Sequence, residues 1–318
     1  MSKYLITGAH GFIGRHLVGK IRAKQPDAEI VSTVHRRSFD PGQSADSIRV
    51  DLSDPAAIDL HGDWETIFHL AALIPDHHDD DNSSLLNKNI QIALGMLEIC
   101  RSTRPRKLVV ASSIAVYPPE TQEILHESLP IHPVRPYGIG KACAEHILSH
   151  ASACGTEVVF LRLSSIYGLG MPSNTVLSLF ITQASKGLPL TLFGNGNRIQ
   201  DFVYIDDVVD AFLLASQDGI AGVCNIGSGQ SSTMLQLAEE IARQEGWRTT
   251  IRFAPDVIDT AANVRVDISK ASLDIGYRPV YDLAKGINAY HALLSGHSSL
   301  PGSHNHNTPD TSHARFQS

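Results

Sequence analysis

The sequence predicts an α/β fold, a doubly wound parallel sheet with a smaller lobe toward the C-terminus. Three observations point there. Short apolar strand segments alternate with helical segments over the first 165 residues, a rhythm that pairs strands in parallel and puts helices on both sheet faces. A glycine-spaced loop stands at the first strand–helix junction. Beyond about residue 166 the rhythm breaks into longer loops punctuated by Gly, Asn and Pro.

The first strand is Lys3–Thr7 (KYLIT), a short run of the fully buried kind. The loop Thr7-Gly8-Ala9-His10-Gly11-Phe12-Ile13-Gly14 follows and leads into the helical pattern FIGRHLVGKIRA. Three glycines let the backbone turn tightly and let a pyrophosphate approach the helix N-terminus, where unpaired N–H groups and the helix dipole favour anions. At this junction the loop predicts a dinucleotide site, and with it a Rossmann-type sheet. IVSTV is the second strand, 67–72 (IFHLAA) and 107–113 (KLVVASS) follow, and 158–163 (VVFLRL) comes after helices at 85–101 and 140–153. Residues 1–165 therefore read as the dinucleotide-binding domain. Residues 166–294, with helices near 175–187 and 233–246, read as a substrate-binding lobe interleaved with it. From 295 to 318 the chain is rich in Ser, His and Asn, has little to bury, and reads as a disordered tail.

Composition narrows the function. Hydrophobic residues are 42% and charged residues 19% of the 318, the balance of a soluble globular protein. A net charge of −7 offers no global positive field to nucleic acid or an anionic membrane. No apolar run approaches the roughly 18 residues of a membrane span. Cys100, Cys143, Cys154 and Cys224 lack metal-ligand spacing, and Met1 leads almost directly into a strand. We expect reduced thiols in a cytoplasmic protein. No metal is expected: His77, His78 and Asp79–Asp81 are adjacent on a loop and rarely converge on one ion, and His304, His306 and His313 lie in the tail.

A second chemistry-bearing stretch is Pro136-Tyr137-Gly138-Ile139-Gly140-Lys141. Tyr137 and Lys141 are four apart and share a helix face. A phenol ionises near 10, and proton transfer at neutral pH asks for a drop of about three units, or about 4 kcal/mol. An ammonium at about 4 Å in an effective dielectric near 20 supplies about that much. Ser112 and Ser113 end an apolar strand 24 residues earlier, and parallel sheets bind ligands at the carboxyl ends of their strands.

TGAHGFIG, Ser113-Ile114-Ala115-Val116-Tyr117 and the Tyr137/Lys141 pair resemble the short-chain dehydrogenase/reductase superfamily, specifically its extended branch of sugar-nucleotide epimerases, dehydratases and reductases. The resemblance spans roughly residues 3–290. It implies that Ser113 polarises the reacting oxygen, Tyr137 transfers the proton, and Lys141 tunes Tyr137 and binds the cofactor ribose. It implies a cofactor site of Gly8, His10, Gly11, Phe12, Ile13 and Gly14, with Asp51 and Leu52 at the adenine and Leu70, Ala71, Ala72 and Asn89 beside it. Residues 194–207 are similar to the family segment lining a nucleotide sugar, though Gln200 replaces the family arginine. Substrate contacts are expected from Ser165, Arg198, Gln200 and Arg265. A homodimer through helices 85–101 and 140–153 is implied as well. Family dehydratases carry an Asp–Glu pair where this chain has Ile114 and Ala115, which argues against water elimination.

The end of the second strand bears on the cofactor. NAD-preferring relatives place an acidic residue there for the adenosine ribose. This chain has His35, Arg36 and Arg37. A guanidinium pairs with phosphate through forked hydrogen bonds, so NADP(H) is favoured, with Arg36 the leading contact and NAD(H) the alternative. An NADP site favours reduction. The expected activity is therefore reduction of a keto group on a sugar nucleotide (4-ketoreductase type). The alternative is an NAD-dependent sugar-nucleotide 4-epimerase. A non-sugar carbonyl reductase and a non-catalytic NAD(P)-sensing protein are more remote.

Overall fold

Lys3–Thr7 forms β1, which runs through a seven-stranded sheet. The computed structural model describes residues 2–34, 47–54, 60–75, 83–119, 121, 123–244, 247–257 and 262–297. After β1 come α1 (Phe12–Lys24), β2 (Glu29–Val34), β3 (Ser47–Arg49), β4 (Thr66–His69), α2 (Ser83–Thr103), β5 (Lys107–Ser113), α3 (Pro136–Ser149) and β6 (Glu157–Leu163). The chain continues through β7 (Ser165–Tyr167), α4 (Val176–Ser185), β8 (Leu190–Phe193), β9 (Ile199–Tyr204), α5 (Ile205–Ala215) and β10 (Gly222–Ile226). It closes with β11 (Ser231–Thr233), α6 (Met234–Ala242), β12 (Ile251–Ala254), α7 (Ser269–Asp274) and α8 (Leu283–His297).

The large sheet has the order β10–β6–β5–β4–β1–β2–β3, and all its pairings are parallel. The pleat of β1 explains why its three central residues, Tyr4, Leu5 and Ile6, are all apolar. Tyr4 and Ile6 enter one core with Leu17 and Ile21 of α1 and Phe212 of α5. Leu5 enters the other with Met96 and Ile99 of α2 and Leu148 of α3. Strand order reverses at β1/β4, and the carboxyl ends of those strands open a crevice of the kind that takes ligands in such sheets.

Two smaller sheets, β11–β9–β7 and β12–β8, lie outside the large one, whereas β10 returns to pair with β6. α6 begins with a capping box: Thr233 accepts from the Gln236 N–H and Gln236 accepts from the Thr233 N–H.

Several helix boundaries differ from the sequence reading. The helix expected at 140–153 starts at Pro136, because proline is pre-set for the first helical position, and it ends at Ser149 before a 3₁₀ turn over His150–Cys154. α6 stops at Ala242 rather than near 246. α8 runs through His297, two residues beyond the point where composition turns tail-like, and the rest of that tail lies outside the described residues.

Candidate active site

The glycine loop forms a cradle that side chains would fill. Gly8 has φ +71°, and a Cβ there would sit 2.9 Å from the Ala71 nitrogen. A Cβ on Gly14 would lie 2.3 Å from the Gly8 carbonyl oxygen. Gly11 caps α1 without any side-chain bond, so no side chain stands between the first-turn N–H groups and an incoming anion. The loop after β4 forms the opposite wall. Leu70 N donates to the Thr7 carbonyl at 3.2 Å, and Ala71 N donates to Thr7 Oγ1 at 3.3 Å. This shape fits a dinucleotide pyrophosphate. Gly8, Gly11, Phe12, Ile13 and Gly14 would hold it, with His10 exposed at the rim.

Three of the expected cofactor residues, Asn89, Leu52 and Asp51, make contacts within the chain. Asn89 is buried and spends its amide on a neighbouring loop: its Oδ1 accepts from Leu73 N at 2.8 Å and its Nδ2 donates to Leu73 O at 2.9 Å. It shapes the wall that carries Ala71 and Ala72. Leu52 is 6% exposed and belongs to the core with Leu5 and Val31. Asp51 is exposed, and its Oδ1 accepts from Ser53 N and Oγ in a local turn. His35, Arg36 and Arg37 lie outside the described residues, as do His77, His78 and Asp79–Asp81.

β5 and α3 bring the three chemical residues together. Ser113 ends β5 and caps the following 3₁₀ turn, accepting from Ala115 N. Tyr137 stands in the first turn of α3, and a Ser113–Tyr137 hydrogen bond joins the two elements. Lys141 Nζ lies 5.8 Å from the Tyr137 ring centroid and donates to the Ala111 carbonyl at 2.7 Å. Burial pushes the Tyr137 phenol above its usual value, and the Ser113 bond opposes that rise. Burial lowers the Lys141 ammonium to about 8, against the pull of Glu145. The expected depression of Tyr137 by Lys141 is not found. Desolvation dominates, and the ammonium is directed at a backbone carbonyl rather than at the phenol. His69, at the end of β4, is held neutral. Burial and the Lys141 charge bring it down to about 3, and its Nδ1 shares a 2.9 Å hydrogen bond with Thr7 Oγ1.

A buried ionic network underlies these residues. Glu145, one turn beyond Lys141, accepts from Ser112 Oγ and from both Nε and Nη2 of Arg162 on β6. Arg162 Nη1 donates to the Tyr117 hydroxyl at 2.9 Å, which donates to Asn225 Oδ1 of β10 at 2.8 Å. Asn225 Nδ2 reaches the Leu125 carbonyl at 3.0 Å. Three strands, α3 and the loop after Tyr117 are thus tied around one guanidinium.

Above it opens a cleft of about 420 Å³, lined by Ser113 and Tyr137 on one side and by Ser165, Arg198 and Gln200 on the other. Gln200 Nε2 donates to Ser165 Oγ at 2.7 Å, so two of the expected substrate contacts are bonded to each other. Arg265 does not line the cleft; its carbonyl accepts from Leu125 N. Arg135 lines it instead, which sequence reasoning missed although the residue lies two before Tyr137. Arg15, just after the third glycine, donates to the Gly170 carbonyl at 3.0 Å. Among the described residues, no cluster of His, Cys, Asp or Glu could hold a metal and no helix is long and apolar enough to cross a membrane.

A parallel sheet with a glycine cradle at its switch point, and a Ser–Tyr–Lys set on the adjoining strand and helix, defines a dinucleotide-dependent oxidoreductase fold and site. The chain belongs to the NAD dependent epimerase/dehydratase family, whose pattern matches residues 4–227, and is an NAD(P)-dependent enzyme of the extended short-chain dehydrogenase/reductase type. It is 30% identical over 294 residues to a putative UDP-glucose 4-epimerase of Methanocaldococcus jannaschii, covering 89% of this chain and 95% of that one. It is 29% identical over 301 residues to UDP-glucuronic acid decarboxylase 1 of Danio rerio, covering 90% and 71%. Its fold matches the crystal structure of UDP-glucuronic acid 4-epimerase from Bacillus cereus in complex with UDP-glucuronic acid and NAD. That match has a TM-score of 0.77 and 26% identity, covering 92% and 99% of the two chains.

Proposed function

We propose that the protein is an NAD-dependent epimerase of UDP-linked sugars, inverting the carbinol at C4. One observation carries this reading. Among the described residues, the cleft presents one proton-transfer station, Ser113 and Tyr137 with Lys141 behind them, and the two positions after Ser113 are the non-ionisable Ile114 and Ala115. Epimerisation needs only such a station. The carbinol proton leaves to Tyr137 and returns from it, and the product has the oxidation state of the substrate. Elimination would need a further acid and base. The relatives named as 4-epimerases support the same reading.

A bound nicotinamide supplies the acceptor and donor of the C4 hydride. The chain's own residues do the rest. The glycine cradle would fix the dinucleotide. Ser113 would hold the reacting oxygen by its hydroxyl, Tyr137 would move the proton, and Lys141 would bind the cofactor ribose. Ser165, Arg198 and Gln200, which line the same cleft, would meet the nucleotide. The outer faces of α2 and α3 would pair with those of a second copy in a homodimer.

The reductase reading has less support. It rests on Arg36 and Arg37 and on an NADP preference, whereas the Bacillus cereus neighbour was solved with NAD. The test is to denature the purified protein, identify any released dinucleotide by mass spectrometry, and follow UDP-glucose and UDP-glucuronate by NMR with NAD present. Retained NAD and appearance of the 4-epimer are expected. Retained NADP, or turnover only of 4-keto sugars at the expense of NADPH, overturns the epimerase reading.

A further inference from the structure

We infer that the sugar end of the cleft is shaped for a methyl group beside the reacting carbinol, so that nucleotide-linked 6-deoxyhexoses are preferred over hexoses carrying CH2OH or a carboxylate at C5. This rests on the epimerase reading for the reaction and adds the substrate class.

Three segments bring apolar side chains to the reacting pair. The turn that begins at Ser113 brings Ile114 and Ala115, the chain before α3 brings Val134, and the loop after β4 brings Pro75; all line the cleft with Ser113 and Tyr137. The segments are locked to one another. His132 N donates to the Val116 carbonyl at 3.0 Å, and a Cβ on Gly138 would lie 2.3 Å from the Ala115 carbonyl oxygen and 3.0 Å from Pro133 Cβ. Buried Asn89 grips the Leu73 N–H and carbonyl two residues before Pro75. Asn89 in turn lies against α3, where a Cβ on Gly140 would be 3.4 Å from its own Cβ. Val134 is 57% exposed, and Ile74, next to Pro75, is 66% exposed. Apolar side chains held open at the edge of a cleft mark a surface that a ligand covers.

The hydrogen-bonding groups point the same way. Of the cleft-lining residues within two positions of Ser113 or Tyr137, Ile114, Ala115 and Gly138 have no hydrogen-bonding side chain, and Arg135 already has a partner within the protein. Tyr117 also lines the cleft, but its hydroxyl is bonded to Arg162 and Asn225. The Ser113 and Tyr137 hydroxyls are committed to the oxygen on C4. In a pyranose C6 stands two bonds from C4, and two residues of chain span at most about 7 Å, so the C5 substituent comes within reach of these side chains. A CH2OH or a carboxylate there would lose hydration without gaining a partner, whereas a methyl sets carbon against carbon. An apolar pocket rejects an added hydroxyl by about 10²-fold at most, which sets the scale of the preference.

The experiment uses the full chain with NAD supplied. It measures kcat/KM by NMR for UDP-6-deoxyglucose, UDP-glucose and UDP-glucuronate, and the affinity for each and for UDP by calorimetry, in the wild type, Ala115→Ser and Val134→Thr. The wild type is expected to prefer UDP-6-deoxyglucose at least tenfold over either other sugar. Each variant places a hydroxyl on the apolar wall and should cut the preference over UDP-glucose at least threefold, while UDP affinity changes less than twofold. A purely structural effect would lower all three sugars together and leave the ratio where it was. Equal use of the three sugars by the wild type, or a preference for UDP-glucose or UDP-glucuronate, overturns the inference. So does a ratio unchanged in both variants. If no 4-epimer forms from any sugar, the epimerase reading fails, and the affinities still decide the substrate class: a tenfold lead for UDP-6-deoxyglucose upholds it and equal affinities overturn it.

Discussion

The Glu145 carboxylate holds the Arg162 guanidinium with both oxygens, Oε1 to Nε at 2.9 Å and Oε2 to Nη2 at 2.7 Å, and neither side chain is more than 8% exposed. Burial works against the Arg162 charge, but the carboxylate outweighs it and the net direction is upward. The pair joins β6 to the helix bearing Tyr137 and Lys141, and Glu145 also accepts from Ser112 beside Ser113, so it bears on stability and on catalysis together.

Glu145→Gln is expected to cost about 3–5 kcal/mol in urea unfolding, because it leaves a buried guanidinium without its counter-charge. It should also move the pH profile. Glu145 is the influence that opposes the burial-driven drop of Lys141, whose value is about 8. Without that carboxylate the ammonium is lost at lower pH, and the alkaline limb of kcat shifts toward neutrality. Glu145→Asp should recover part of both. An unchanged alkaline limb in a folded Glu145→Gln protein would sink the electrostatic role and leave only a structural one.

Tyr137→Phe removes the proton-transfer group while keeping the ring. The expected loss in kcat is about 10²–10⁴-fold, the usual contribution of a positioned acid or base. Ser113→Ala should lose about 10²-fold as a donor to the reacting oxygen. Dinucleotide affinity, measured by titration, should stay close to wild type in both, since the glycine cradle is elsewhere in the crevice. Full activity in Tyr137→Phe would remove Tyr137 from the mechanism.

These residues were legible in the sequence because each signal is local. The glycines sit within one loop, Tyr137 and Lys141 within one helical turn, and Ser113 at the end of an apolar run. The supporting contacts were not legible, because they join distant positions. Glu145 and Arg162 meet only after α3 packs on β6, and Asn89 finds Leu73 across 16 residues. Arg135 was missed for a different reason: an arginine before a proline carries no periodic signal, and only the fold shows that it lines the cleft. The Tyr137 shift was misjudged because the sequence shows the neighbouring charge and hides the burial that opposes it.

Two glycines in one helix should respond in opposite ways. Gly14→Ala drives a Cβ to 2.3 Å from Gly8 O and 2.6 Å from Ala9 Cα, both backbone atoms that cannot step aside. It is expected to cost about 1–3 kcal/mol and to weaken dinucleotide binding more than tenfold. Gly19 lies on the exposed side of α1, and a Cβ added there would meet nothing within 4 Å, so Gly19→Ala should gain about 0.5–1 kcal/mol from the helical backbone. Thermal melts and calorimetric titration of both variants check this. Equal effects would mean that the cradle tolerates what its geometry forbids.

His69 makes stability depend on pH in a predictable direction. Its folded value of about 3 lies well below the ordinary 6.5, through burial first and the Lys141 charge second. Between those values the unfolded chain binds a proton that the folded one refuses. This contribution is therefore intact above pH 6.5 and is lost on acidification, at about 1.4 kcal/mol per pH unit within the window. Asp201 acts with the opposite sign. Burial raises it to about 6 from 3.8, so its contribution is intact below 3.8 and is lost as pH rises through 6. Between about pH 4 and 6 the two slopes oppose each other in the wild type. His69→Asn keeps a polar atom near Thr7 Oγ1 and removes the titration, leaving the Asp201 slope without its counterweight. Urea midpoints taken from pH 4.5 to 7.5 should fall on acidification less steeply in His69→Asn than in the wild type. Parallel profiles for the two proteins would mean that His69 protonates as readily in the folded chain as in the unfolded one, and that its burial beside Lys141 has no energetic consequence.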